Sequence, residues 1–194
     1  HASVCPELGR SALDGAEMMS VGANYLREHV PDGVRIHYSY LSAGEKPNVV
    51  PDFAEVWYFV RSNRRRIVDQ VTERLIQVAR GAAMMSGTEV EWEFLARGKS
   101  TRINTTLAEL AYGCMGRVPL PRWEEPELRL AAGLGESLGL PGTICGELTP
   151  PEGRELAGSG STDFSAVSQT VPSVEINTVC FTRGTPGHHK SEAK

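Results

Sequence analysis

Two histidines stand side by side near the carboxy-terminal end, His188 and His189 in the run GTPGHHK, and a third opens the sequence as His1. His188 follows a strand-like run and a Thr-Pro-Gly turn, a position from which an imidazole can point into a cleft at a sheet edge and offer a neutral nitrogen to a metal ion. From the residues alone, an exposed tail is the plainer reading of both. Only the carboxy-terminal tail offers a candidate ligand. Asp163, in STDFS, reads as the cap of the turn that follows it. Arg61 closes a strand and Asn104 opens a helix, and a surface salt bridge and a helix cap account for those residue types.

Other reactive-looking residues carry less. The cysteines at positions 5, 114, 145 and 180 lack the paired spacing of zinc ribbons or thioredoxin motifs, and read as buried small hydrophobes in a reducing compartment. Arg64, Arg65 and Arg66 begin a helix whose later turns carry acids, so they read as a solvated face. Met84 and Met85 read as the end of a packed helix face. The glycine-rich pieces GLGESLG and GSGST lack the strand and helix context of a nucleotide loop.

These residues must be positioned by a scaffold centred on Val34 to Arg61. There Val34, Ile36, Tyr38 and Tyr40 alternate, then Ala54, Val56, Tyr58 and Val60 alternate, with a Gly/Pro-marked connection between the two strands. Trp57 and Phe59 on the other side of the second strand imply that both of its faces are partly buried. Before this ribbon, residues 10 to 29 show helical spacing at Leu13, Ala16, Met19, Ala23 and Leu26, with Ser11 and Asp14 as a weakened capping box. Gly15 and Gly22 inside that helix suggest close packing against a sheet. After the ribbon, residues 64 to 85 give the strongest amphipathic pattern in the chain, stopped by Ser86 and Gly87. Thr88 to Ala96 then alternates Val90, Trp92 and Phe94 with three glutamates, the pattern of a half-buried third strand.

The order helix, strand, strand, helix, strand is a split βαβ unit lacking its first strand, the ferredoxin-like sandwich being β-α-β-β-α-β. A sheet short of an inner strand leaves backbone groups uncovered, so the expectation is a strand supplied covalently or by a partner. The alternative is a three-stranded open sheet complete in itself. Beyond Lys99 the composition changes. Short helices are expected at Asn104 to Cys114, with Leu107, Leu110 and Ala111 inward, near Pro126 to Leu138, and at Asp163 to Gln169. A strand is expected at Val174 to Phe181.

Across 194 residues the hydrophobic share of 40% and charged share of 23% describe an ordinary globular protein, and the net charge of -4 argues against a nucleic-acid partner. No stretch approaches 18 consecutive apolar residues and no basic leader precedes an apolar run, so neither a membrane span nor a signal peptide is expected. A start at His1 without methionine suggests a piece of a longer chain.

Taken in order, HAS through Pro6, GRSALD from Gly9 to Asp14, PNVVPD from Pro47 to Asp52 with the strand ending at Arg61, GSTDFSAVSQTVP at 160 to 172 and GTPGH at 184 to 188 resemble the aminoacylase and carboxypeptidase family of two-metal amidohydrolases. Within it the sequence is most similar to the branch that hydrolyses p-aminobenzoyl-glutamate. The resemblance covers nearly the whole chain and is weakest between about 120 and 155.

The resemblance implies an α/β (α+β) architecture in two parts. Residues 1–103 would be an incomplete ferredoxin-like lid and dimerisation sandwich with its first strand missing, and residues 104–194 the carboxy-terminal part of an α/β metallopeptidase catalytic domain. It implies two divalent ions, zinc, manganese or cobalt, in the intact enzyme, with His188 matching the last metal histidine. The early His-x-Asp segment, the paired glutamates and the carboxylate base have no counterpart here, so this fragment alone would hold an incomplete metal site and be inactive. His1 would be the lid histidine that reaches the active site of the other protomer and stabilises the oxyanion. Asn104 and Arg61 would touch substrate, and Asp163 would line the cleft wall. A cytoplasmic homodimer acting on a small N-acyl or aminobenzoyl amino acid follows, with no nucleic acid or membrane partner. A non-catalytic dimerisation or binding module is the alternative.

Overall fold

The computed structural model describes residues 1–144, 146–151, 162–178 and 181–185. It is a mixed helix and strand structure whose described residues divide into two compact units, one over residues 1–100 and the other over the described residues after 100.

The first unit begins with a single 3-10 turn at Pro6–Leu8, then α1 (Ala12–Arg27), β1 (Arg35–Ser42), β2 (Glu55–Arg61) and α2 (Arg65–Ser86). Ser11 caps α1 by accepting from the Asp14 N–H at 3.1 Å, which satisfies one of the free donors of the first turn. α2 ends where Gly87 takes a left-handed conformation, φ 68°. β1 and β2 pair antiparallel with Ile36 opposite Val60, Tyr38 opposite Tyr58 and Tyr40 opposite Val56, followed by an irregularity between Tyr40 and Ser42. One face of this ribbon rests on the two helices. Ala23 and Leu26 of α1, Val71 and Leu75 of α2, and Val34 and Ile36 of the ribbon form the buried cluster, with Tyr58, Val60, Ile67 and Val78 packed around it.

Several expectations are corrected. The other face of the ribbon is open: Trp57 and Phe59 stack on one another at 5.0 Å between ring centroids, and each stays 42% exposed. Gly15 and Gly22 do mark a close approach, but to α2 and the residues just after it. Added β-carbons there would meet Ser86, Thr88 and Val78. Met84 and Met85 face outward, because Ala82 and Ala83 take the buried positions at the end of α2. Cys5 and Cys114 are exposed rather than buried.

The expected third strand does not form. Residues 88–100 carry neither helix nor ladder, and among the described residues the sheet has two strands, so these residues do not build the three-stranded alternative either. Side-chain alternation fits Thr88 to Ala96 for a sheet face, yet a strand exists only when a neighbour takes its backbone groups. None of the described residues does so.

The second unit contains α3 (Thr105–Met115), α4 (Glu125–Leu138) and α5 (Phe164–Ser168). Glu127 reaches back to accept from the Glu124 N–H at 2.6 Å at the start of α4. Gly135 packs against the Gly142 backbone, leaving no room for a side chain. Leu107 and Ala111 of α3 are half-buried, whereas Leu110, expected inward, is 62% exposed. The described part of the expected strand at 174–181 carries no ladder, and the link nearby is Arg183 N–H to the Thr143 carbonyl at 2.7 Å.

Candidate functional site

In the second unit a cavity of about 320 Å³ opens between the approach to α3 and the segment after α5. Its lining includes Arg102, Ile103, Asn104, Thr105, Ser168 and Ser173. The backbone brings these stretches together: the Arg102 N–H donates to Ser168 Oγ at 2.9 Å, and that hydroxyl donates to the Ser165 carbonyl at 2.8 Å. Ser168 is buried, and the bond crosses 66 residues of sequence. Asn104 is the N-cap of α3, its Oδ1 accepting from the Leu107 N–H at 3.0 Å. That leaves its NH₂ group as a donor at the cavity. The lining supplies hydroxyls, amides and one arginine but no carboxylate or imidazole, so it is suited to holding a polar or anionic group and not to moving a proton.

Asp163 does not line this cavity. It is exposed and makes no capping hydrogen bond to α5, so its expected capping role is not met; Thr162 Oγ1 accepts from the Phe164 N–H instead, at 3.3 Å. Asp163 already has helical φ and ψ, whereas a capping side chain works from an extended backbone.

In the first unit His1 sits in an exposed turn where its Nδ1 accepts from the Ser3 N–H at 3.2 Å, and Ala2 N–H donates to the Asn48 carbonyl at 3.0 Å. Those contacts place His1 beside the loop that precedes β2. Arg61 is at the far end of β2, opposite Arg35, with its guanidinium 5.0 Å from the centre of the Phe59 ring. His1 is thus held at the loop before β2 and Arg61 at the last position of β2. His188 and His189 lie outside the described residues. Among the described residues no three His, Cys, Asp or Glu side chains gather, so they do not form a metal centre by themselves.

A polar network in the first unit was not foreseen. Ser20 of α1 is buried, and its Oγ lies 2.9 Å from the Tyr40 hydroxyl and 3.2 Å from that of Tyr58, while donating to the Ala16 carbonyl at 3.0 Å. Burial pushes the Tyr58 hydroxyl above its ordinary pKa, with the Ser20 hydrogen bond opposing. Alternation showed that these tyrosines share a face. Nothing in the spacing showed that Ser20 would meet them.

The amino-acid sequence is similar to those of known proteins. The chain is 32% identical to a subunit of the p-aminobenzoyl-glutamate hydrolase of Escherichia coli, over 97% of its own length and 45% of that protein. It is 27% identical to the mouse Xaa-Arg dipeptidase over 90% of the chain and 35% of the relative. It is also 32% identical to indole-3-acetyl-aspartic acid hydrolase of Enterobacter agglomerans over 52% of the chain and 23% of the relative. The chain belongs to the amidohydrolase and peptidase family of these relatives. No family model matches it. This amidohydrolase-family chain spans less than half the length of each of these three relatives. No described helix in it is long and apolar enough to cross a membrane.

Proposed function

We propose that the intact protein is a cytoplasmic, homodimeric, metal-dependent amidohydrolase that cleaves the amide bond of an N-acyl or aminobenzoyl amino acid. The observation that carries this reading is the similarity to the Escherichia coli p-aminobenzoyl-glutamate hydrolase across 97% of the chain. The Xaa-Arg dipeptidase and the indole-3-acetyl-aspartic acid hydrolase add two further names of amide-cleaving enzymes.

In this reading residues 1–103 form a ferredoxin-like lid that also dimerises, and residues 104–194 return to the catalytic domain. The two ions, zinc, manganese or cobalt, supply an activated water and a polarised carbonyl when bound. His188 is one of their ligands, and the remainder lie outside the described residues. The described residues bind and position. Asn104 presents its amide donor to the substrate from the start of α3, and Arg61 holds a substrate carboxylate. Asp163 lines the cleft wall of the complete site, outside the Asn104 cavity, and His1 donates to the developing oxyanion in the partner's site.

The deciding experiment measures hydrolysis of p-aminobenzoyl-glutamate and a panel of N-acyl amino acids by the intact protein. Activity that vanishes with a chelator and returns with one of the three ions is the expected result. Hydrolysis that persists undiminished after metal removal, or none with any of the panel in any metal, overturns it.

A further inference from the structure

The open face of the β1–β2 ribbon carries a row of side chains that the core does not use. Along β2 that face presents Glu55, Trp57, Phe59 and Arg61, because Tyr58 and Val60, at the alternate positions, pack against the buried cluster. The solvent side of an antiparallel ribbon normally reads polar throughout. Here two large rings stand in the middle of it, stacked 5.0 Å apart and inclined at 41°, and both stay open to solvent. The strand beside them does not cover them: Ser39, across the ladder from Trp57, has a side chain too short to reach over an indole. A stacked pair of exposed rings is a contiguous apolar patch, unlike the single exposed apolar residues found on any surface.

The ends of the row give the patch a direction. Arg35 of β1 lies directly opposite Arg61, so two guanidinium groups share one end of the face, while Glu55 stands at the other. Like charges directly opposite one another are unfavourable in a sheet, and an anion between them relieves the repulsion. The Arg61 guanidinium is already beside the aromatic pair, 5.0 Å from the centre of the Phe59 ring. Trp92 and Phe94, the other exposed rings of this unit's later segment, each have an arginine over them, Arg80 at 5.0 Å and Arg97 at 4.0 Å. Among the described residues no cation lies over Trp57, so its ring face is the one left for a ligand. Phe59 and Arg61 are two strand residues apart, about 7 Å. That is close to the span from an aromatic acyl ring, across one amide, to the carboxylate of the amino acid it modifies.

We infer that the Trp57–Phe59 pair binds the acyl part of the substrate, and that the substrate is an N-aroyl amino acid. The aroyl ring stacks on Trp57 and meets Phe59 at its edge, and the carboxylate lies at the Arg35–Arg61 end. A flat ring gains from offset stacking and edge-to-face contact with the two side chains, which a short alkyl acyl group cannot make. The charge gradient from Glu55 to the arginines fixes the orientation of the ligand. This inference rests on the amidohydrolase reading and adds to it the choice between acyl classes, with the residues that make the choice.

The test is the ratio of kcat/KM for p-aminobenzoyl-glutamate to that for N-acetylglutamate, measured on the intact protein, on Trp57→Ala and on Trp57→Phe. The parent is expected to favour the aroyl substrate. In Trp57→Ala the ratio falls about tenfold, mostly through KM for the aroyl substrate, and in Trp57→Phe it stays within about threefold of the parent. Trp57→Thr, which keeps a strand-forming residue, replaces Trp57→Ala if that variant does not fold. A parent without aroyl preference overturns the proposal, and so does a ratio that Trp57→Ala leaves unchanged. Dissociation of the Trp57→Ala protein in sedimentation, where the parent is a dimer, assigns the face to a second copy and overturns it too. Hydrolysis of neither substrate by the parent counts against the amidohydrolase reading, and calorimetric titration with p-aminobenzoyl-glutamate then decides the subsite by itself. Binding that Trp57→Ala weakens about tenfold supports the aroyl subsite; no binding, or equal binding by the variant, overturns it.

Discussion

Gly22 of α1 and Val78 of α2 are in such close contact that a β-carbon on Gly22 would lie 2.5 Å from Val78 Cγ1. The two helices touch there because one of them lacks a side chain. Gly81, three residues further along α2, is exposed and has nothing within 4 Å of the corresponding position.

The two glycines therefore answer an alanine in opposite ways. Alanine at either position gains about 1 kcal/mol of helix propensity. At Gly22 the helices must separate or Val78 must leave its rotamer, an overpacking cost of about 1 to 3 kcal/mol. Gly22→Ala is expected to lower stability in urea unfolding by about 1 kcal/mol net, and Gly81→Ala to raise it by up to about 1 kcal/mol. Gains from both substitutions would show that α1 and α2 do not pack at Gly22.

Tyr58 gives the first unit an alkaline limit. Its hydroxyl is raised above the ordinary value of 10.0 mainly by burial. A raised folded-state pKa means that the native protein keeps a proton which the unfolded chain releases, so the contribution is complete below pH 10 and is lost as pH rises above it. Tyr58→Phe is expected to cost about 1 kcal/mol at pH 8, where the bond to Ser20 is lost, and to lose less stability than the parent between pH 8 and 11. Parallel pH profiles for the two proteins would remove Tyr58 as the cause. Ser20 keeps its bonds to Tyr40 and Ala16 in the variant, so no buried hydroxyl is orphaned.

What the sequence disclosed depends on how local the cause is. α1 and α2 were legible because their apolar positions recur with the helical period, and the ribbon because its two runs alternate around one connection. Thr88 to Ala96 carries as clear an alternation as β1 and still forms no ladder, because pairing is a property of the neighbour and not of the segment. Gly22 announced a close contact but could not say that the contact was Val78. In the second unit Asn104 was legible as a helix cap, while Ser168 was not legible at all: its role is a bond to the Arg102 backbone 66 residues away. Asp163 misled because an acidic residue before a short helix normally caps it, and here the backbone at that position is already helical.

Asn104 can be separated into its two roles. Asn104→Ala removes the cap of α3 and is expected to cost about 1 kcal/mol of stability. Asn104→Ser keeps an oxygen for the Leu107 N–H and holds stability within about 0.5 kcal/mol, but it removes the amide NH₂. If that amide binds substrate, Asn104→Ser lowers kcat/KM of the intact enzyme about tenfold or more while unfolding is unchanged. Parent-like kcat/KM in a stable Asn104→Ser protein restricts Asn104 to capping.

The proposed division of labour between protomers makes a sharper demand. A homodimer with His1→Ala has intact metal ligands but no oxyanion donor in either site, and one with His188→Ala keeps the donor but lacks a metal ligand. Each is expected to be nearly inactive. Dissociated, mixed and reassociated at equal amounts, half of the dimers are mixed. In each mixed dimer the site built on the His1→Ala protomer keeps His188 and receives the partner's His1, so one of its two sites is complete. Activity should return to about a quarter of the parent level. Recovery of that size requires His1 to act across the dimer. If His1 acts within its own protomer, each mutant site in a mixed dimer still lacks one group, and the mixture stays as inactive as its components.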